Sequence, residues 1–117
     1  MDPEQLRRHC LAKSGAAEDF PFGDEISVFK VAGKIFAISA LGGLPLEVSL
    51  KCDSDLAAAL RARYGAVRPG YHLNKRHWNT VTIDGSISEG EIEAMIDDSY
   101  DLVVAGLRRS DRDALER

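Results

Sequence analysis

The sequence predicts an α+β fold: an antiparallel sheet of about four to five strands, covered on one face and flanked by about three helices. Three observations predict it. Two runs rich in β-branched and aromatic residues, 26–31 and 34–40, meet at Ala32-Gly33. Leu46-Glu47-Val48-Ser49-Leu50-Lys51 alternates apolar and polar strictly. The segments with helical periodicity stand between these strand runs rather than alternating with each of them, which disfavours a doubly wound parallel fold.

Each element has a local reason. Asp2-Pro3-Glu4-Gln5 opens a first helix, with Asp as the N-cap, Pro at the first helical position and Gln three residues after the cap. Leu6, Cys10 and Leu11 supply its apolar face, and Ser14-Gly15 ends it. Phe20-Pro21-Phe22-Gly23 then breaks the pattern; its X-Pro bond is expected to be trans, as most are. Gly33 supplies the positive φ that a tight hairpin requires, and Leu41-Gly42-Gly43-Leu44-Pro45 is a second turn, so the first half reads as a three-stranded meander. Asp53 or Ser54 caps a second helix with Leu56, Leu60 and Tyr64 on one face, closed by Gly65. Val67 begins a short strand interrupted at Pro69-Gly70, and residues 79–84 form another, with Val81 and Ile83 inward. Ser88 and Glu91 make a capping box for the last helix, whose apolar stripe is Ile92, Ile96, Tyr100, Val103 and Leu107. The tail, 108–117, is almost wholly charged or polar and is expected to fray or extend as a solvated helix. Residues 67–77 are the one long stretch that fits no element cleanly.

A chain of 117 residues has room for one core, so residues 1–117 are read as a single domain. The longest apolar runs fall far short of the ~20 residues that span a bilayer, and residues 1–15 carry Asp2, Glu4, Arg7, Arg8 and Lys13 without an apolar block. A cytoplasmic protein with no membrane partner is therefore expected; the sequence leaves the oligomeric state open, with a monomer favoured. Cys10 and Cys52 lack a CxxC or Cys/His spacing and read as small apolar thiols in the core.

Charge is spread unevenly. The net charge is −4, which works against indiscriminate binding of polyanions. Yet residues 50–83 hold six Lys/Arg against two Asp/Glu, while residues 84–117 hold four against ten. Within the basic third, Arg68-Pro69-Gly70-Tyr71-His72-Leu73-Asn74-Lys75-Arg76-His77-Trp78-Asn79 gathers three cations, two histidines, two asparagines, a tyrosine and the only tryptophan. Lys and Arg can pair with phosphates, Asn can hold a phosphate or an adenine edge, and Tyr and Trp can stack on bases. The same composition also suits a packed turn around Trp78 with a soluble cationic rim, because aromatic and Arg enrichment marks interfaces of several kinds.

No catalytic site is recognisable. His72, Asn74 and His77 lie within six residues without the carboxylate support that a metal-dependent nuclease needs. Glu89, Glu91, Glu93, Asp97, Asp98 and Asp101 read as a solvated acidic helix face, since no calcium-loop glycine pattern accompanies them. Gly42-Gly43 lacks the rest of a phosphate loop. The chain is therefore expected to be no enzyme and to need neither metal nor cofactor.

Several ordered strings, Phe20-Pro21-Phe22-Gly23-Asp24-Glu25, Val28-Phe29-Lys30-Val31 with Gly33-Lys34, Ser49-Leu50-Lys51-Cys52, the segment from Arg68 to Thr82, and Ile96-Asp97-Asp98-Ser99-Tyr100-Asp101-Leu102-Val103, resemble the MmcQ/YjbR family over most of the chain. The resemblance implies a small bacterial-type cytoplasmic α+β protein of CyaY-like architecture. For a member of that family a "double wing" has been proposed as a DNA-binding motif. It directs attention to the hairpin between Lys30 and Lys34 and to residues 68–79 as the wings. The expected function is accordingly nucleic-acid binding, with Lys30, Lys34, Lys51, Arg68, Lys75, Arg76 and His77 against phosphates, Tyr71 and Trp78 against sugar or bases, and His72, Asn74 and Asn79 beside them. The alternative is a small-ligand or protein-interaction module, in which the same loop lines a pocket between the sheet and the last helix.

Overall fold

The computed structural model describes residues 1–70 and 73–115. In chain order they form α1 (Pro3–Leu11), β1 (Ala16–Asp19), β2 (Ser27–Val31), β3 (Lys34–Ser39), β4 (Glu47–Lys51), α2 (Ser54–Arg63), β5 (Val67–Pro69), β6 (Trp78–Thr82), α3 (Glu89–Ala105) and α4 (Arg109–Leu115). The six strands make one antiparallel sheet in the order β1-β2-β3-β4-β6-β5. The α+β class and the central meander are as read from the sequence. The sheet is larger than the four to five strands expected, and there are four helices instead of three.

The extra strand is β1, Ala16-Ala17-Glu18-Asp19, which has no β-branched residue. Its pairing supplies what its propensity does not: it lies along β2 from Ala16↔Val31 to Asp19↔Val28. The extra helix, α4, buries no residue outright, but Leu115 packs on the core and its carbonyl accepts the Ser14 hydroxyl at 3.0 Å.

One face of the sheet carries the core. Phe29, Val31, Val48, Leu50 and Val81 point into it and meet Leu6 and Cys10 of α1 with Ile92, Ile96 and Val103 of α3. Full burial of each large side chain contributes about 1.5–3 kcal/mol. At Phe36 the β2–β3 register shifts, so that Phe36 is an extra residue on β3. Phe36 and its neighbour Ala37 are both completely buried and both belong to the same core, which a regular two-residue alternation would not give. Phe36 meets the ring of Tyr100 on α3 edge-on, with centroids 5.4 Å apart.

The helix caps follow the sequence closely. The Asp2 carboxylate accepts from Gln5 N, and Gln5 Oε1 accepts from Asp2 N, closing the expected box. At the start of α3 only half of the expected box forms: Ser88 Oγ accepts from Glu91 N, while the Glu91 carboxylate accepts from the Tyr64 hydroxyl. On α2, Leu60 and Tyr64 pack against the core as expected, but Leu56 is 44% exposed and Ala57 is completely buried in its place. The small side chain lets the helix lie close to β6. Among the described residues the cis peptide is Leu44–Pro45, not the bond before Pro21. No helix among the described residues is long and apolar enough to cross a membrane.

Candidate functional site

The second face of the sheet and one end of it are left open by the helices. Because β2–β3 and β5–β6 are both antiparallel hairpins on either side of β4, their connections emerge at the same end. The β2–β3 turn is Ala32-Gly33, with φ 48° and 78°, the positive pair that a two-residue type I′ hairpin demands. The β5–β6 connection is the loop 70–77. Lys51 at the end of β4 stands opposite Trp78 at the start of β6. Lys34, Lys51 and Trp78 line one groove of about 480 Å3, bordered by Leu102 and Gly106 at the end of α3. The last turn of α3 contains no basic residue, and the two lysines share the groove with its C-cap, Gly106.

The loop is held by a set of local bonds. Gly70 N donates to Trp78 O at 2.8 Å, and His77 N donates to Asn74 O at 3.1 Å. Asn74 Oδ1 accepts from Arg76 N at 3.0 Å, an Asx turn that shapes the loop. The His77 carbonyl accepts from Cys52 N at 2.7 Å, joining the loop to the end of β4. A side chain at position 70 would bring its Cβ within 2.9 Å of the Trp78 Cβ, so only glycine allows this approach. From α2, Arg61 Nη1 donates to Lys75 O at 3.1 Å and to Asn79 Oδ1 at 2.8 Å. Asn79 Nδ2 in turn donates to Ala57 O at 3.3 Å.

The twelve residues singled out by the sequence therefore separate. Asn79 is buried, with its amide engaged by Arg61 and Ala57, and the Asn74 side chain turns back on its own loop. Lys30 is paired with Asp19 at 2.9 Å; the hydrogen bond from Lys30 is the main reason the Asp19 carboxyl sits below its ordinary value. Arg68 pairs with Glu47 and also donates to the Thr82 hydroxyl. Lys34, Lys51, Lys75 and Arg76 form no ion pair among the described residues. His77 and Trp78 are half-buried. Tyr71 and His72 lie outside the described residues. Arg61, which positions the loop, was not singled out. Its signal is the four-residue spacing from Ala57, visible only once Ala57 rather than Leu56 is known to face the sheet.

Other reactive groups are accounted for by the fold. Burial pushes the Cys10 thiol up to about 12 and also raises Cys52, so neither supplies a thiolate at neutral pH. Burial tends to raise the Asp97 carboxyl, but hydrogen bonds from Lys13 and His9, and their charges, outweigh it and hold it below its ordinary value. No group of three or more His, Cys, Asp or Glu among the described residues is arranged to hold a metal. Between the sheet, α2 and α3 there is a cavity of only about 20 Å3, lined by Leu60, Met95 and Cys52 among others, enough for a single water.

The family model YjbR matches residues 11–102. This chain belongs to the YjbR family. Escherichia coli O157:H7 YbdF is 43% identical over 96% of this chain and 95% of its own length. YjbR itself, from Escherichia coli strain K12, is 37% identical over 89% of this chain and 88% of its own. The crystal structure of Deinococcus radiodurans protein DR2400, with domain DUF419, superposes with a TM-score of 0.92 at 36% identity, covering 98% of this chain and 88% of that one. A crystal structure from Pseudomonas syringae gives a TM-score of 0.75 at 27% identity, covering 87% and 98%. The YjbR match includes both hairpin connections and the end of β4 between them.

Proposed function

We propose that this YjbR-family chain binds duplex DNA through its phosphate backbone, with the Ala32-Gly33 turn and the loop 70–77 acting as paired wings. The observation that carries the proposal is their common end of the sheet, where Lys34 and Lys51 share a groove with Trp78. From strand order, the two hairpins are centred three strand spacings apart, about 14 Å at ~4.8 Å per strand. That is close to the ~12 Å width of a major groove, so cations on the two wings can bracket one groove. Lys34, Lys51, Lys75 and Arg76 are the phosphate partners in this reading. Trp78, half-buried between the wings, offers an apolar surface to a sugar. Lys30 and Arg68 are secondary, because each would first have to leave a carboxylate. The double-wing arrangement that the family resemblance implies also supports the reading.

The net charge of −4 sets the scale: long-range repulsion offsets part of the local attraction, so binding is weak and strongly salt-dependent, with Kd on the order of 10⁻⁶–10⁻⁴ M. The test is fluorescence anisotropy of a labelled duplex titrated at several salt concentrations. Replacing Lys75 and Arg76 together by Ala is expected to lower the slope of log K against log salt by ~2, since each phosphate contact contributes ~0.9. Binding that ignores salt, or a double variant with the wild-type slope, defeats the proposal.

A further inference from the structure

We propose that the open face of the sheet is a second binding site, adjoining the DNA surface at Lys75, for a small organic monoanion with a flat apolar body. The face is crossed by one row of paired residues: Val28↔Ile38 joins β2 to β3, Ile38↔Ser49 joins β3 to β4, Ser49↔Thr80 joins β4 to β6, and Thr80↔Arg68 joins β6 to β5. Above Ile38, Ser49 and Thr80 lies a cleft of about 800 Å3, within the ~300–1,000 Å3 range of small-molecule sites. Leu44 and Pro45 wall it on one side and Lys75 on another.

The chemistry of the lining selects the occupant. Its charged residues are Glu47, Arg68 and Lys75. Arg68 is spent on Glu47, and Thr82 ties the pair from its side, donating to Glu47 and accepting from Arg68. Lys75 has no carboxylate partner among the described residues, which leaves the cleft one net positive charge. On the floor, the Ser49 and Thr80 hydroxyls are 2.9 Å apart. A hydroxyl pair uses one of its two protons internally; Thr80 is 5% exposed, so it is the half-buried Ser49 hydroxyl that can offer the other to an anionic oxygen. Apart from Ser39, whose hydroxyl donates to the Glu47 carbonyl at 2.6 Å, the other lining side chains are apolar. Leu44 is 98% exposed, a position that nothing within the fold rewards and that a flat apolar body would cover. Among the described residues the floor has no aromatic side chain on which a base could stack, so this face shares Lys75 with the surface proposed for DNA but not its Trp78.

The probe is anilinonaphthalene sulfonate, a monoanion with a flat apolar body. It is titrated into the full chain by fluorescence and mapped by amide NMR shifts. Saturable binding is expected, with the largest shifts at Ile38, Ser49, Thr80 and Lys75. Lys75→Glu, on an exposed loop, weakens it by roughly tenfold, the value of a lost charge-assisted bond. Ser49→Phe, which fills the floor, removes it while far-UV circular dichroism stays unchanged. Ser49 is outside the DNA surface, so loss of probe binding in this variant can be told from loss of DNA binding. Shifts confined to Phe20 and Phe22 or to the Lys34–Trp78 groove would overturn the assignment, as would unsaturable binding or an undiminished affinity in Lys75→Glu.

Discussion

The Ser99 hydroxyl donates to the Phe36 carbonyl at 2.6 Å and accepts from Lys51 N at 2.8 Å. The β3–β4 register, Ala37↔Leu50 and Ile38↔Ser49, would place Phe36 directly opposite Lys51. The bulge at Phe36 opens the ladder there, and a helix side chain bridges the two backbone groups. Ser99 is completely buried, and no water replaces it cheaply. Ser99→Ala should lower stability by about 2 kcal/mol, measured as a shift of the urea midpoint at constant m-value.

At the tip of the β2–β3 hairpin, Ala32 adopts a left-handed conformation with φ 48°. Such a conformation costs a non-glycine residue roughly 1–2 kcal/mol, less for Asn. Ala32→Asn should therefore raise stability by about 0.5–1 kcal/mol. Equal or lower stability in thermal unfolding would mean that the turn is not type I′.

Arg61 holds the loop 70–77 from below through Lys75 O and Asn79 Oδ1. Arg61→Ala leaves the acceptor of a buried asparagine without its donor, a loss of ~1–3 kcal/mol. Native-state hydrogen exchange should accelerate at the Arg76 and His77 amides, which the loop's own bonds protect, more than at β2 amides.

Asp97 joins α3 to α1 through His9 Nε2 at 2.8 Å and through Lys13, with Glu93 the next carboxylate near His9. Its folded carboxyl titrates below its ordinary value. The resulting stability is present above the unfolded value and is lost as pH falls through the folded one. Since the carboxylate is 41% exposed, Asp97→Asn should cost only ~0.5–1 kcal/mol at neutral pH. The gap between variant and wild type in urea denaturation should narrow below about pH 4.

The parts legible in sequence were those whose own residues carry the information. Runs such as Val28-Phe29 and Ile35-Phe36, the alternation Val48-Ser49-Leu50, and the Asp2 and Ser88 caps each specify a local conformation. What was not legible depended on partners distant in sequence. β1 is a strand because β2 lies beside it. Ala57, in a run of three alanines, reveals its buried face only against Asn79. At the site, the cations could be counted but not their company: Asp19 meets Lys30 across the β1–β2 pair and Glu47 meets Arg68 over the intervening β6, neighbours that the sequence does not display, while Lys34, Lys51 and Trp78 come together only because two hairpins share one end of the sheet.

The central claim is that this end of the sheet is the DNA-binding surface. Its most direct test is amide and indole NMR of the labelled chain titrated with a short duplex at low salt. The account predicts progressive, salt-reversible shifts at Lys34, Lys51, Arg76 and the Trp78 indole, with little change at the α1–α3 ion-pair cluster around Asp97. No shifts, or shifts centred on the open sheet face at Ile38 and Ser49, would contradict it.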